Sequence, residues 1–97
     1  MEVLETNING CFEINPKLIY DSRGYFYESF NAARFREKTG LNIQFVQDNQ
    51  SFSERGVLRG LHLQKGIHAQ AKLVSVLKGK VLDVAIDLRK DSETFGE

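Results

Sequence analysis

The chain has 97 residues, of which 41% are hydrophobic and 27% are charged. A chain of this length buries roughly two-thirds of its unfolded surface, so we expect residues 1–97 to form a single globular domain. Thirteen basic residues balance thirteen acidic residues. No overall electrostatic field therefore favours nucleic acid or an anionic membrane, and any anionic ligand would have to be small.

Cysteine usage and the N-terminus indicate the compartment. Cys11 is the single cysteine and has no partner for an internal disulfide. The first residues carry no basic and apolar export signal, and no window approaches the roughly 18 apolar residues of a transmembrane helix. We therefore expect a cytoplasmic protein without a membrane partner.

In chain order, short runs with strand composition alternate with turns rich in Gly and Asx residues. The runs are residues 11–15, 17–20, 25–30, 43–52, 57–63, 71–77 and 81–88. Turns are predicted at residues 21–24, 53–56, 65–66 and 78–79.

One helix is predicted over residues 32–39. Asn31 can cap its start, Gly40 can end it, and Phe35 offers an apolar contact with a sheet. No further helix is available to connect parallel strands, so the pattern predicts a mostly β, antiparallel sandwich or barrel with one short helix. Few residues follow the last run, so a barrel would be left incomplete.

The last two runs predict a hairpin if Lys78 and Gly79 form its two-residue loop. Lys72 would then lie diagonal to Asp83, on a face shared with valine and alanine residues. Two interpretations remain open. The pair is either a half-exposed ion pair that contributes less than about 1 kcal/mol, or a lysine held in a cavity to stabilise a developing anion.

Arg59 and His62 would lie on opposite faces of a regular strand. Gly60 lies between them, and a bulge there would turn both side chains to the same side. His62 alone is typical of a rim or core histidine. The nearby cations Arg59 and Lys72 favour a functional site instead.

A metal site of the His-x-His type is not predicted. Such a site needs imidazoles and a carboxylate. Here Gln64 stands where a second histidine would be needed, and Lys72 would repel the ion.

Two polar groups lie further upstream. Arg23 is in the predicted turn 21–24, and Phe26 and Glu28 alternate after it; Gln47 and Asn49 share one face of the run 43–52. These patterns suit either solvated edges or a pocket lined by hydrogen-bonding groups.

Taken together, the polar residues form five motifs in a fixed order. They are Asp21-x-Arg23-Gly24-x-Phe26-x-Glu28, Gln47-x-Asn49-x-Ser51, Gly56-x-Leu58-Arg59-Gly60-Leu61-His62-x-Gln64, Gln70-x-Lys72-Leu73-Val74 and Asp83-Val84-Ala85-x-Asp87-Leu88-Arg89. Over residues 12–96 this order closely resembles the dTDP-4-dehydrorhamnose 3,5-epimerases. The resemblance implies an antiparallel cupin, or jelly-roll type, barrel, truncated here because the family's chains are longer.

The resemblance also implies an activity, the inversion of C3, of C5 or of both in a dTDP-linked 4-keto-6-deoxy sugar in dTDP-rhamnose biosynthesis, by removal of a proton alpha to the C4 ketone. By the family pattern His62 is the general base, Lys72 stabilises the enolate oxygen and Asp83 maintains the charge arrangement. The implied substrate-binding residues are Arg23, Phe26, Glu28, Gln47, Asn49 and Arg59. The family pattern implies a homodimer and requires no metal or organic cofactor.

The resemblance places the family's proton-donating tyrosine beyond Glu97, and Tyr20, Tyr25 and Tyr27 do not occupy the matching position. Three alternatives therefore stay open at this point. The chain is a truncated epimerase, a non-catalytic sugar-nucleotide-binding remnant, or a related cupin sugar ketoisomerase.

Overall fold

The structure is a computed structural model that describes all 97 residues, Met1 to Glu97. Its Cα positions separate two compact units, residues 1–42 with 81–97 and residues 43–80. Two β-hairpins and the α-helix lie in the first unit, and a short 3-10 turn, Gly66–His68, lies in the second. None of the helices has the length and hydropathy that a membrane crossing requires.

The first hairpin pairs β1 (Glu2–Glu5) with β2 (Phe12–Asn15) in antiparallel register, with Val3 opposite Ile14. Val3, Phe12 and Ile14 form its half-buried face, as expected when alternate residues of a strand point to one side. The connecting turn is closed by the Thr6 hydroxyl, which donates to the Cys11 carbonyl at 2.8 Å. The sequence predicted β2 within residues 11–15 but did not predict β1.

The second hairpin pairs β3 (Ile19–Asp21) with β4 (Gly24–Phe26) through a two-residue loop. The turn predicted at residues 21–24 is confirmed. Tyr20 lies opposite Tyr25, and their ring centroids are 5.7 Å apart. The Tyr25 ring stacks on Tyr27 at 6.1 Å, so three aromatic rings line one side of this hairpin.

The helix α1 (Ala32–Thr39) has the bounds that the sequence predicted. The Asn31 side chain accepts a hydrogen bond from the Arg34 backbone N–H at 3.0 Å, which caps the first turn. Gly40 ends the helix with φ of +71°, a left-handed conformation that favours glycine. Phe35 is the buried apolar residue of the fold, with 6% exposure, and its ring packs 5.8 Å from Phe30.

Residues 43–52, 57–63, 71–77 and 81–88 are not formed as hydrogen-bonded strands, although their composition predicted four strands, and no closed barrel is present. A strand is stable only when a neighbouring strand satisfies its N–H and C=O groups. No such ladder forms here, and the apolar residues that would point inward stay exposed, for example Leu58 (92%) and Leu82 (91%).

The predicted turns between these segments are present. The Val57 N–H donates to the Glu54 carbonyl at 3.3 Å, which closes the turn at residues 53–56. The backbone bends at residues 77–79, where the hairpin loop was predicted. Gly60 has φ of +104°, but the predicted bulge has no strand ladder to interrupt. The mostly β, antiparallel class with one short helix is confirmed.

Candidate active site

Arg23 lies in the loop of the second hairpin and is held by Asp21. The Asp21 carboxylate accepts from the Arg23 backbone N–H at 2.8 Å, from Nε at 3.2 Å and from Nη2 at 2.6 Å. The Arg23 side-chain hydrogen bond, followed by the bond from its backbone N–H, lowers the pKa of Asp21. Arg23 is therefore an oriented but strongly exposed cation, and part of its charge is balanced by Asp21.

Phe26 is the last residue of strand β4, and Glu28 lies two residues beyond it. Phe26 lies opposite Ile19, and its ring is 69% exposed. The Glu28 carboxylate accepts from the Asn31 amide at 3.3 Å and forms an ion pair with Arg34 at 3.5 Å. The start of helix α1 thus fixes the position of Glu28.

Gln47 and Asn49 are both exposed residues of the second unit. The Gln47 amide nitrogen donates to the Asn49 side-chain oxygen at 3.4 Å. This contact places the two amides side by side, as their spacing predicted. Both keep further donors and acceptors for a polar ligand.

Arg59 reaches back over the turn at residues 53–56. Its Nε donates to the Ser53 hydroxyl at 2.9 Å, and its Nη2 donates to the Phe52 carbonyl at 3.3 Å. None of the three ion pairs in the structure involves Arg59. The guanidinium is therefore held in place by neutral acceptors only.

His62 and Lys72 are exposed residues of the second unit, and Asp83 is an exposed residue of the first. The structure brings none of these side chains into a hydrogen bond or ion pair. The roles assigned to His62, Lys72 and Asp83 stay predictions. No group of three or more His, Cys, Asp and Glu side chains is arranged to hold a metal ion.

Sequence reasoning missed a polar cluster centred on Asp87, a residue with 4% exposure. The Asp87 carboxylate accepts from Arg89 Nε at 2.8 Å and Nη2 at 3.0 Å, from the Thr94 hydroxyl at 2.6 Å, and from the Ser92 hydroxyl. These donors, with Arg89 first, hold the pKa of Asp87 far below its ordinary value.

The backbone of Asp87 is also tied to the last residues of the chain. Its N–H donates to the Glu97 carbonyl at 2.9 Å, and its carbonyl accepts from the Gly96 N–H at 2.7 Å. We call Asp87, Arg89, Ser92 and Thr94 the Asp87 cluster. A sequence pattern could have predicted this cluster: Ser92 and Thr94 follow soon after Asp87-x-Arg89, and this spacing permits local side-chain hydrogen bonds.

Two depressions of the surface are lined by other residues. One follows the turn at residues 5–12, and the other lies among Asn7, Asn9, Arg89 and residues 91–94. None of the predicted site residues lines either depression. The interpretation of Lys72 as a lysine held in a cavity therefore stays a prediction.

Residues 5–97 match the family described as dTDP-4-dehydrorhamnose 3,5-epimerase. The chain belongs to this family. It is 53% identical over 94 residues to the epimerase of Methanothermobacter thermautotrophicus and covers 50% of that protein. It is 50% identical over all 97 residues to the epimerase of Salmonella typhimurium and covers 53% of it.

The crystal structure of dTDP-4-dehydrorhamnose 3,5-epimerase from Elizabethkingia anophelis is 61% identical to the chain. It superposes with a TM-score of 0.91 over 98% of this chain and 52% of that one. This similarity confirms the predicted cupin-type fold class. The superposition is obtained although residues 43–88 form no strand ladder here. The chain spans about half the length of the curated relatives it matches.

Proposed function

We propose that this protein is an epimerase of dTDP-4-keto-6-deoxy sugars in dTDP-rhamnose biosynthesis. The reaction follows from the position of the C4 ketone, because the protons on C3 and C5 are both alpha to it. A base removes one of these protons, and the electron pair moves onto the C4 oxygen as an enolate. Return of a proton to the opposite face of the same carbon inverts its configuration.

Three residues carry the proposed chemistry. The His62 imidazole is the general base that removes the proton, and the Lys72 ammonium stabilises the enolate oxygen. The Asp83 carboxylate maintains the charge arrangement of the site. The reaction needs no metal or organic cofactor, because the ketone of the substrate itself accepts the electron pair.

Six residues bind the substrate in this proposal. Arg23 and Arg59 bind the diphosphate, since the planar guanidinium presents paired donors to phosphate oxygens. The exposed Phe26 ring offers an apolar surface for the base of the nucleotide. Glu28, Gln47 and Asn49 supply hydrogen bonds to polar groups of the nucleotide and sugar.

One observation carries the proposal: residues 5–97, which include all nine of these side chains, match the epimerase family. The contacts of the two arginines give further support. Both guanidinium groups are held by local acceptors and keep unused N–H donors.

The test is solvent exchange by the complete gene product. Incubation with a dTDP-4-keto-6-deoxy sugar in D2O should introduce deuterium at C3, at C5 or at both, as read by NMR, and should yield the inverted product. A protein that binds dTDP but exchanges no hydrogen would be a non-catalytic binder. A product with a relocated keto group would indicate a ketoisomerase.

We also propose that the protein acts in the cytoplasm as a homodimer. Extended segments with exposed apolar side chains such as Leu58 and Leu82 can add strands from a second copy. Sedimentation of the gene product at micromolar concentration should give the mass of a dimer. A monomer at that concentration would contradict the proposed assembly.

A further inference from the structure

The contacts of Arg59 decide how this side chain presents itself to a ligand. Nε and Nη2 each use one N–H group, on the Ser53 hydroxyl and the Phe52 carbonyl respectively. A guanidinium has five N–H donors, so the two Nη1 donors and one Nη2 donor stay available. Together these remaining donors form the fork that matches two phosphate oxygens.

The chemistry of the acceptors matters as much as their position. The carboxylate of Asp21 balances part of the charge of Arg23, whereas Ser53 and the Phe52 carbonyl are neutral. Arg59 therefore keeps its full positive charge while its long side chain is restrained. A restrained side chain loses less conformational freedom when a ligand binds, which increases affinity.

We propose that Ser53 is a positioning residue, which presets the Arg59 guanidinium for the diphosphate of the nucleotide sugar. This inference rests on the proposed function and adds a residue outside the six substrate-binding side chains. Ser53 acts only through Arg59. Its removal should therefore weaken binding of the phosphate groups and leave the sugar chemistry intact.

The experiment compares Ser53→Ala with the unaltered gene product by calorimetric titration of dTDP and of thymidine. Loss of the hydroxyl acceptor should raise the Kd for dTDP roughly three- to thirtyfold, less than the full value of a hydrogen bond to a charged group because Ser53 acts only through Arg59. The Kd for thymidine, which has no phosphate, should not change. The exchange rate at saturating substrate should also stay the same while KM rises.

Three further variants make the result specific. Ser53→Thr keeps a hydroxyl and should restore the affinity for dTDP, whereas Ser75→Ala, at another exposed serine of the same unit, should have no effect. In an Arg59→Ala background, Ser53→Ala should cause no further loss, because the two side chains form one unit. Additive losses, or equal weakening of dTDP and thymidine, would overturn the inference.

The outcomes also separate this inference from the proposed function. If the protein is active in exchange and Ser53→Ala leaves its affinity for dTDP unchanged, only the role of Ser53 is overturned. A protein without exchange activity that binds dTDP or inorganic pyrophosphate in a Ser53-dependent way overturns the catalytic proposal and keeps the role of Ser53. A protein that binds neither dTDP nor pyrophosphate overturns both.

Discussion

Residues 87–97 and residues 43–80 are both short of regular secondary structure, but they are held in different ways. The first segment folds onto the carboxylate of Asp87, whose donors all come from within seven residues. The second segment exposes most of its apolar side chains and forms no strand ladder. Local polar contacts can fix a conformation without distant partners, whereas alternating apolar residues need another strand or sheet to pack against.

This comparison suggests that stability and chemistry are divided between the two segments. The Asp87 cluster contains no predicted catalytic residue, and residues 43–80 contain His62 and Lys72. Substitutions in residues 43–80 should therefore change the reaction, and substitutions in the Asp87 cluster should change the stability of the fold.

The largest effect is expected for His62→Ala. Loss of the proposed general base should reduce solvent exchange roughly 100- to 10,000-fold, while the Kd for dTDP should stay within about threefold, because the role proposed for the imidazole is confined to the reacting carbon. NMR exchange rates and calorimetric titration measure the two quantities.

His68 offers a matched control, since it is the other histidine of the chain and lies in the 3-10 turn Gly66–His68. His68→Ala should exchange at the rate of the unaltered protein. Equal losses of binding and exchange in His62→Ala would assign a structural role to His62.

Lys72→Ala should reduce exchange more than binding, because its charge is needed for the enolate rather than for the bound ketone.

A smaller effect, on stability, is expected for Asp87→Asn. The neutral amide removes the charge that Arg89, Ser92 and Thr94 stabilise, and the melting temperature at pH 7 should fall by at least about 5 °C. Exchange activity per folded molecule should not change. Calorimetry and the exchange assay test the two halves of this prediction.

The pH dependence of stability gives an independent readout. Because the pKa of Asp87 is lower in the folded protein than its ordinary value of 3.8, its stabilisation is complete above that value and is lost as the pH falls below it. Asp87→Asn should therefore flatten the fall in melting temperature below about pH 4. Asp91→Asn, at an exposed residue of the same segment, should leave both the melting temperature and its slope unchanged, and an identical response of the two variants would contradict the cluster's role.

The smallest effect is expected for Asn31→Ala, which removes a polar contact that is local but less buried than Asp87. Loss of the cap on helix α1 should lower the free energy of unfolding by about 1 kcal/mol. Urea denaturation measures this change. Asn31→Ser keeps a capping oxygen and should lose less, and an unchanged stability in Asn31→Ala would show that the cap contributes nothing measurable.

The parts of the fold that the sequence predicts well are those determined by neighbouring residues. Helix α1 has its predicted bounds because Asn31 and Gly40 act within one turn of the helix ends. The turn at residues 21–24 forms because Asp21 accepts from the backbone two residues on. Neither feature needs a distant partner.

The parts that sequence reasoning could not predict depend on pairing. The strand β1 was missed because its four residues, Glu-Val-Leu-Glu, are too short a run to indicate a strand. Only the pairing with β2 identifies them as one. The strands expected within residues 43–88 have the right composition, but a ladder forms only when a second strand is present. The Asp87 cluster was missed because a polar run after a strand is typical of a solvated loop.

In the candidate site, the spacing of residues along the sequence predicted only contacts between close neighbours in the chain. The side-by-side amides of Gln47 and Asn49 follow from their separation by two residues. The contact of Arg59 with Ser53 was not predicted, because it depends on how the intervening turn folds back. The placement of His62 relative to Lys72 depends on strands that must pair first.

The three neighbouring tyrosines at the second hairpin have a practical consequence for spectroscopy. No tryptophan is present among the 97 residues, and Tyr20, Tyr25 and Tyr27 are the only tyrosines. The tyrosine fluorescence of this stretch of chain therefore comes from the hairpin whose loop carries Arg23 and from Tyr27 just beyond it. A nucleotide that settles beside that loop would change the emission or its quenching, so these rings form a natural optical reporter that needs no added label.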